Sequence, residues 1–283
     1  MDRSVDYSRP DDLISALAIL DRGKRVILAG GTDLYPAMAG RGLTGPVLDL
    51  TAVPELRSIA SRPAGLRIGA CATWAEIAAA DLPPALAALQ QAAVDVGGRQ
   101  IQNAGTIGGN LCNASPAADG VPPLLALDAA VELTSAGDQR TLALADFITG
   151  PRQTTLRPGE MLTAVMIPAV ALAGRSMFAK LGARRYLVIS IVSVAVRLVE
   201  REGRVADAAV AVGACSGVAR RLPAVETALV GATWAEAAGR IDDAMVASAL
   251  DPLDDVRGSA GYRRAAAATM VRRSVAALTG GGA

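Results

Sequence analysis

Between residues 97 and 120 the chain reads GGRQIQNAGTIGGNLCNASPAADG, a glycine-rich polar passage with no amphipathic period in a sequence that is 52% hydrophobic. A segment of this kind and length inside a compact protein is either held in place by a functional site or disordered. Its centre, residues 103–110, gathers Gly105, Thr106, Ile107, Gly108, Gly109 and Asn110. Glycines let a backbone turn sharply and let an anion approach the N–H groups, and short hydroxyl and amide side chains can complete such a cradle. The amides of Gly108 and Gly109 are therefore expected to face phosphate oxygens. The run is neither GxGxxG nor GxxxxGK[ST], so neither a Rossmann nor a P-loop reading fits.

A second glycine turn lies earlier. Residues 25–29 form a short apolar strand that runs into Gly30-Gly31-Thr32-Asp33, and residues 34–39 then look helical. A strand, a glycine turn and a helix start together offer free amides and a favourable dipole to an anion. Either loop alone could be an ordinary tight turn. Two of them, both without lysine, suit the diphosphate of a buried dinucleotide.

The rest of the composition narrows the chemistry. The sequence has no histidine, which removes the commonest general base and most zinc and non-haem iron sites. Its 28 Lys+Arg against 27 Asp+Glu give no basic excess for nucleic acid or an anionic membrane. Three scattered cysteines, Cys71, Cys112 and Cys215, cannot build a four-cysteine cluster and fit reduced thiols of a cytoplasmic protein. Cys112 reads as a small buried side chain, because no basic residue or second cysteine flanks it. Residues 1–4 lead into no apolar leader, and the longest apolar run, residues 186–196, is too short for a bilayer. Any redox chemistry here falls to an organic cofactor.

Along the chain, helix and strand signals alternate through the first 50 residues. Strands are expected at 57–60, 66–70, 131–134 and 161–167, and helices at 74–80, 85–96 and 122–130. A change of style near residue 175 introduces two long Val-rich strands, 187–199 and 205–213, joined as a hairpin by residues 200–204. Helices at 222–230, 234–249 and 259–278 close the sequence. Two domains follow, residues 1–175 and 176–283. Read without further context, Lys180 is a solvated lysine, and a helix cap stands as one of the readings open to Asp119.

Residues 26–34 (VILAGGTDL), 100–119 (QIQNAGTIGGNLCNASPAAD) and 255–264 (DVRGSAGYRR) resemble, in register, the FAD-binding medium subunit of the molybdenum hydroxylases. That family includes xanthine dehydrogenases and aerobic carbon monoxide dehydrogenase. The resemblance implies an α+β chain: a two-lobed FAD-binding domain of the vanillyl-alcohol-oxidase (PCMH) type, then a small C-terminal domain with an antiparallel sheet and helices. It implies that Ile27, Leu28, Ala29, Gly30, Gly31, Thr32, Asp33 and Leu34, with Gly105, Thr106, Ile107, Gly108, Gly109 and Asn110, clamp the FAD diphosphate. Asp119 would bind a polar part of the cofactor, and Val96, Leu162 and Lys180 would lie along it. The ending around Arg257, Tyr262 and Arg263 reads as structural.

Three departures from the family are visible. Many relatives carry His where Trp74 stands and Arg where Gln102 stands; neither is a catalytic position. Carbon monoxide dehydrogenases usually have a His-Ser pair at Thr32-Asp33, which leans away from that substrate. No cysteine-rich insertion is present, so the extra cluster of the 4-hydroxybenzoyl-CoA reductases is not expected. The implied role is electron transfer through FAD, with no catalytic side chain and no metal in this chain. Implied partners are a small subunit with two two-iron two-sulfur clusters and a large molybdenum–pterin subunit, in a dimer of heterotrimers, plus a small-molecule electron acceptor. The competing readings are a self-contained reductase like the enolpyruvyl reductases and a structural subunit without flavin.

Overall fold

The computed structural model describes residues 6–38, 40 and 42–280. The expected absence of a leader at residues 1–4, and residue 39 at the end of the expected helical turn, lie outside them. The first lobe is a three-stranded parallel sheet, with Val47–Asp49 between Tyr7–Ser8 and Val26–Leu28. The helix Leu13–Asp21 covers it; the Asp12 carboxylate accepts the Ser15 N–H as its N-cap, and Ala16, Leu17 and Leu20 enter the core. The sheet stops where Leu28 gives way to the Gly30-Gly31 turn, so the first loop sits at the carboxyl ends of these strands.

The second lobe is a five-stranded antiparallel sheet in the order Ile59–Arg62, Gly65–Gly69, Met161–Pro168, Ala130–Thr134, Gln139–Ala143. The central strand Met161–Pro168 is the last of the five in sequence, and most of its residues are buried. Helices Trp74–Ala79, Ala87–Asp95, Ile107–Asn113 and Val121–Ala126 supply much of the rest of this core, with Trp74, Leu89, Ile107, Leu111 and Leu124 fully buried.

The C-terminal part is a four-stranded antiparallel sheet, Arg175–Leu181, Val192–Arg201, Arg204–Gly213 and Arg220–Arg221. The helix Ala260–Gly280 packs on it through Ala267, Val271, Val275 and Leu278. Arg263, almost fully buried, donates to the carbonyls of Ile191 (2.6 Å) and Ala214 (2.9 Å) and pairs with Asp255 at 2.6 Å. The C-terminal motif thus fastens the last helix to the sheet. Small side chains (Ala88, Ala92, Ala126, Ala195, Ala209) and Phe178 form the seam with the second lobe, where Ser176 Oγ accepts the Ala88 N–H and donates to the Ala85 carbonyl. The α+β class, the two lobes and the antiparallel C-terminal sheet are as expected. Among the described residues no helix is long and apolar enough to cross a membrane.

Several local expectations are corrected. The passage 97–120, where the lack of an amphipathic period gave no helix to expect, holds the helices Arg99–Ala104 and Ile107–Asn113, broken at Gly105, with Thr106 capping the second by accepting the Gly109 N–H. The Val-rich strand begins at Val192 rather than at residue 187, because Leu187 sits at φ +51° and cannot continue a strand. The long helix expected over 234–249 is a 3-10 turn, Ala237–Arg240, and a separate helix, Asp243–Ser248, started by the Asp242 carboxylate accepting the Ala244 N–H. The strand Arg175–Leu181 was not expected; it falls where the change of style was placed.

Candidate cofactor cleft

The first glycine loop and the loop helix Ile107–Asn113 face one another across a cleft of about 460 Å³. The sequence brings them together by close backbone approach: a Cβ placed on Gly30 would lie 1.8 Å from the Ala104 carbonyl oxygen and 2.9 Å from Gly105 Cα. Only glycine fits there. Gly31 has φ +67°, the left-handed region that glycine occupies without strain.

Fourteen of the sequence-derived positions line this cleft: Ile27, Ala29, Gly30, Gly31, Thr32, Asp33, Leu34, Val96, Gly105, Thr106, Gly108, Gly109, Asn110 and Leu162. Four do not. Leu28 and Ile107 belong to the motifs but turn into the core, where Ile107 is fully buried. Asp119 and Lys180 form a buried pair with each other, Nζ to Oδ2 2.6 Å, with side chains only 8% and 7% exposed. Ser190 also donates to Asp119, and Lys180 donates to the Asp95 carbonyl at 3.2 Å. Burial pushes the Asp119 carboxyl above the ordinary range, against the pull of Lys180. This pair joins the second lobe to the C-terminal sheet.

The expected amide cradle shifts from one loop to the other. Gly108 N–H donates to the Ala70 carbonyl at 2.8 Å, and Gly109 N–H to Thr106 Oγ1 at 3.1 Å. The second loop is zipped to residues 70–74: Ile107 N–H bonds the Ala72 carbonyl and Trp74 N–H bonds the Gly105 carbonyl. On the first loop, by contrast, the N–H groups of Gly30, Gly31, Thr32 and Asp33 have no acceptor among the described residues. Unpaired backbone donors at a cleft wall are where an anion is bound. Asn110, also at the wall, carries a buried Oδ1 with no hydrogen-bond partner, and a buried acceptor left alone is costly.

Other wall residues carried no sequence signal: Leu50, Ile101, Leu156 and Met161 make an apolar surface, and Glu160, Cys71 and Cys112 supply the titratable groups besides Asp33. Glu160 is occupied by Arg140, whose Nε and Nη2 donate at 2.7 and 2.8 Å; these hydrogen bonds hold its carboxyl below the ordinary range. Burial pushes the Cys71 thiol up to about 12. Cys112, expected buried, is exposed as a residue, yet burial pushes its thiol up to about 12, and no cation among the described residues lowers it. Among the described residues no group of His, Cys, Asp and Glu could hold a metal. The cleft thus offers free amides beside a largely apolar wall.

Residues 3–170 match the family described as the FAD binding domain in molybdopterin dehydrogenase, and residues 178–278 match the CO dehydrogenase flavoprotein C-terminal domain. The chain is 32% identical over 280 residues to the nicotine 6-hydroxylase medium subunit of Paenarthrobacter nicotinovorans, covering 96% of each. It is 31% identical over 261 residues to the glyceraldehyde dehydrogenase medium chain of Sulfolobus acidocaldarius, covering 91% of this chain and 92% of that one. Its structure is similar to a chain of the reconstituted CO dehydrogenase from Oligotropha carboxidovorans, with a TM-score of 0.87, 30% identity and 99% of each chain covered.

Proposed function

The chain belongs to the FAD-binding medium subunits of the molybdenum hydroxylases, and from that premise we propose that it relays electrons from the iron–sulfur clusters of a small partner subunit to an external acceptor. The observation that carries the reading is the meeting of the unpaired Gly30–Asp33 amides with a largely apolar wall. Such a wall suits a cofactor that does its own chemistry: FAD, when bound, exchanges one or two electrons. The residues present fit FAD. Gly30, Gly31, Thr32 and Asp33 would donate to the diphosphate, Asn110 would find a partner for its lone Oδ1, and Ile27, Val96, Ile101 and Leu162 would exclude water from the flat ring systems. Asp119 and Lys180 would act on the cofactor indirectly, by holding the C-terminal sheet beside the cleft.

Substrate oxidation, in this reading, belongs to a large molybdenum–pterin subunit, and the clusters to a small subunit, in a dimer of heterotrimers in the cytoplasm. This chain supplies binding, orientation and electrostatics for the flavin. The test is made on the assembled complex with this chain stripped of flavin. Substrate oxidation with an artificial dye that draws electrons from the clusters should persist, while reduction of the physiological acceptor should vanish and return on adding FAD. Loss of both activities, or of neither, contradicts the relay.

A related prediction concerns the linkage. The full chain should bind one FAD without a covalent bond, because it has no histidine and no cation among the described residues makes Cys112 a thiolate. Acid precipitation should leave the flavin in the supernatant. A yellow pellet that turns colourless in Cys112→Ser would show the opposite.

A further inference from the structure

A short hairpin, Ile148–Gly150 and Gln153–Thr154, borders the cleft, with Pro151 and Arg152 in its turn. Arg152 has φ +61°. A proline followed by a left-handed residue is the type II pattern, whose second position favours glycine or asparagine. Arginine there is held in a strained backbone that glycine would occupy freely, and such strain persists where surrounding contacts over-determine it.

The contacts are specific. Arg152 Nη1 donates to Asp33 Oδ2 at 3.0 Å, to the Asn113 carbonyl at 3.5 Å and to Asn113 Oδ1. Its backbone N–H donates to the carbonyl of Ala114, itself at φ +46°, at 2.8 Å. Asp33 and Asn113 line the cleft from opposite sides, one on the first loop and one at the end of the loop helix; Arg152 does not line it. The Arg152 and Asp33 side chains are 57% and 54% exposed, which puts the bridge at the solvent edge.

We propose that Arg152 is the latch of the cleft: it ties the first glycine loop to the far end of the loop helix and so sets how fast the cofactor leaves. It is a positioning residue, and the proposal rests on the reading of the cleft as the FAD site. An exposed ion pair is screened by salt, so release from the wild-type chain should quicken with ionic strength, and release from a chain without the pair should not.

The test loads the full chain with FAD and follows release on dilution by the rise in flavin fluorescence, beside the melting temperature of the FAD-free chain. Arg152→Gly removes the guanidinium and relieves the turn. Release should become roughly 2–5-fold faster, the upper part of the span open to an exposed ion pair, while the FAD-free melting temperature holds or rises. Arg152→Lys should recover part of the retention through Asp33. Release from Arg152→Gly within twofold of wild type, or faster release with a lowered FAD-free melting temperature, overturns the latch while the cleft reading stands. A wild-type chain that takes up no FAD overturns both.

Discussion

Replacing Gly109 by valine should abolish tight flavin binding and leave the fold, while the same change at its neighbour Gly108 should unsettle the fold itself. The two glycines sit side by side on the loop helix but meet different surroundings. A Cβ on Gly108 would lie 2.7 Å from both Ala70 Cβ and the Ala70 carbonyl oxygen, and 3.0 Å from Ala70 Cα. Backbone atoms of a strand end cannot step aside, and overpacking of this kind costs about 1–3 kcal/mol or more. The Gly108 N–H bond to Ala70 would be lost with it. At about 2–4 °C per kcal/mol for a domain of 150–250 residues, the melting temperature should fall by roughly 5–10 °C.

At Gly109 the added Cβ meets only Thr106 Oγ1, at 2.9 Å, and the residue is exposed along the cleft. A valine there disturbs one helix cap, worth about 0.5–2 kcal/mol, and otherwise projects toward the cleft proposed to hold the cofactor. FAD affinity should drop at least ~100-fold, since each 1.4 kcal/mol is about a factor of ten. Flavin stoichiometry and melting temperature, measured on both variants, separate the roles. Full flavin occupancy in Gly109→Val would mean that the loop helix is not a wall of the site.

That contrast shows where sequence reasoning reached and where it stopped. The strand-Gly-Gly-Thr pattern at residues 26–34 and the TIGGN run locate both walls of the cleft, because turn chemistry is local and leaves its residues in order. Which amides stay free is not local: the partners of Ile107 and Gly108 are Ala72 and Ala70, and no spacing within the loop announces them. The helices Arg99–Ala104 and Ile107–Asn113 were hidden because Gly and Asn are poor helix formers; the Thr106 cap and packing on residues 70–74 override that preference. Leu28 and Ile107 travel with the motifs yet face the core, since successive residues of a strand face opposite ways and those of a helix wind round it with a period of about 3.6. Arg152 carried no signal at all. An arginine at a left-handed turn position is legible only once the chain is folded.

The Lys180–Asp119 pair gives the other large effect, and it separates a bond between the second lobe and the C-terminal sheet from direct cofactor contact. Lys180→Met leaves the Asp119 carboxylate buried without its counter-charge, with Ser190 as its remaining side-chain hydrogen-bond donor. Removing one partner of a buried pair costs about 3–5 kcal/mol, a large share of the roughly 5–15 kcal/mol that holds a domain together. The pH dependence then has a fixed sign. Burial already raises the Asp119 carboxyl above its unfolded value, and losing Lys180 raises it further. A group raised in this way costs stability once it ionises, so stability of Lys180→Met should climb as the pH falls from 7 toward the unfolded aspartate value near 4. Asp119→Asn in the Lys180→Met background should restore much of the loss at pH 7, because no buried charge remains. If the two residues instead touched FAD, the double variant would stay flavin-free and the FAD-free chain would show little of this pH-dependent recovery. Urea unfolding of the FAD-free single and double variants across that pH range decides between a bond that positions the C-terminal sheet and a pair of cofactor ligands.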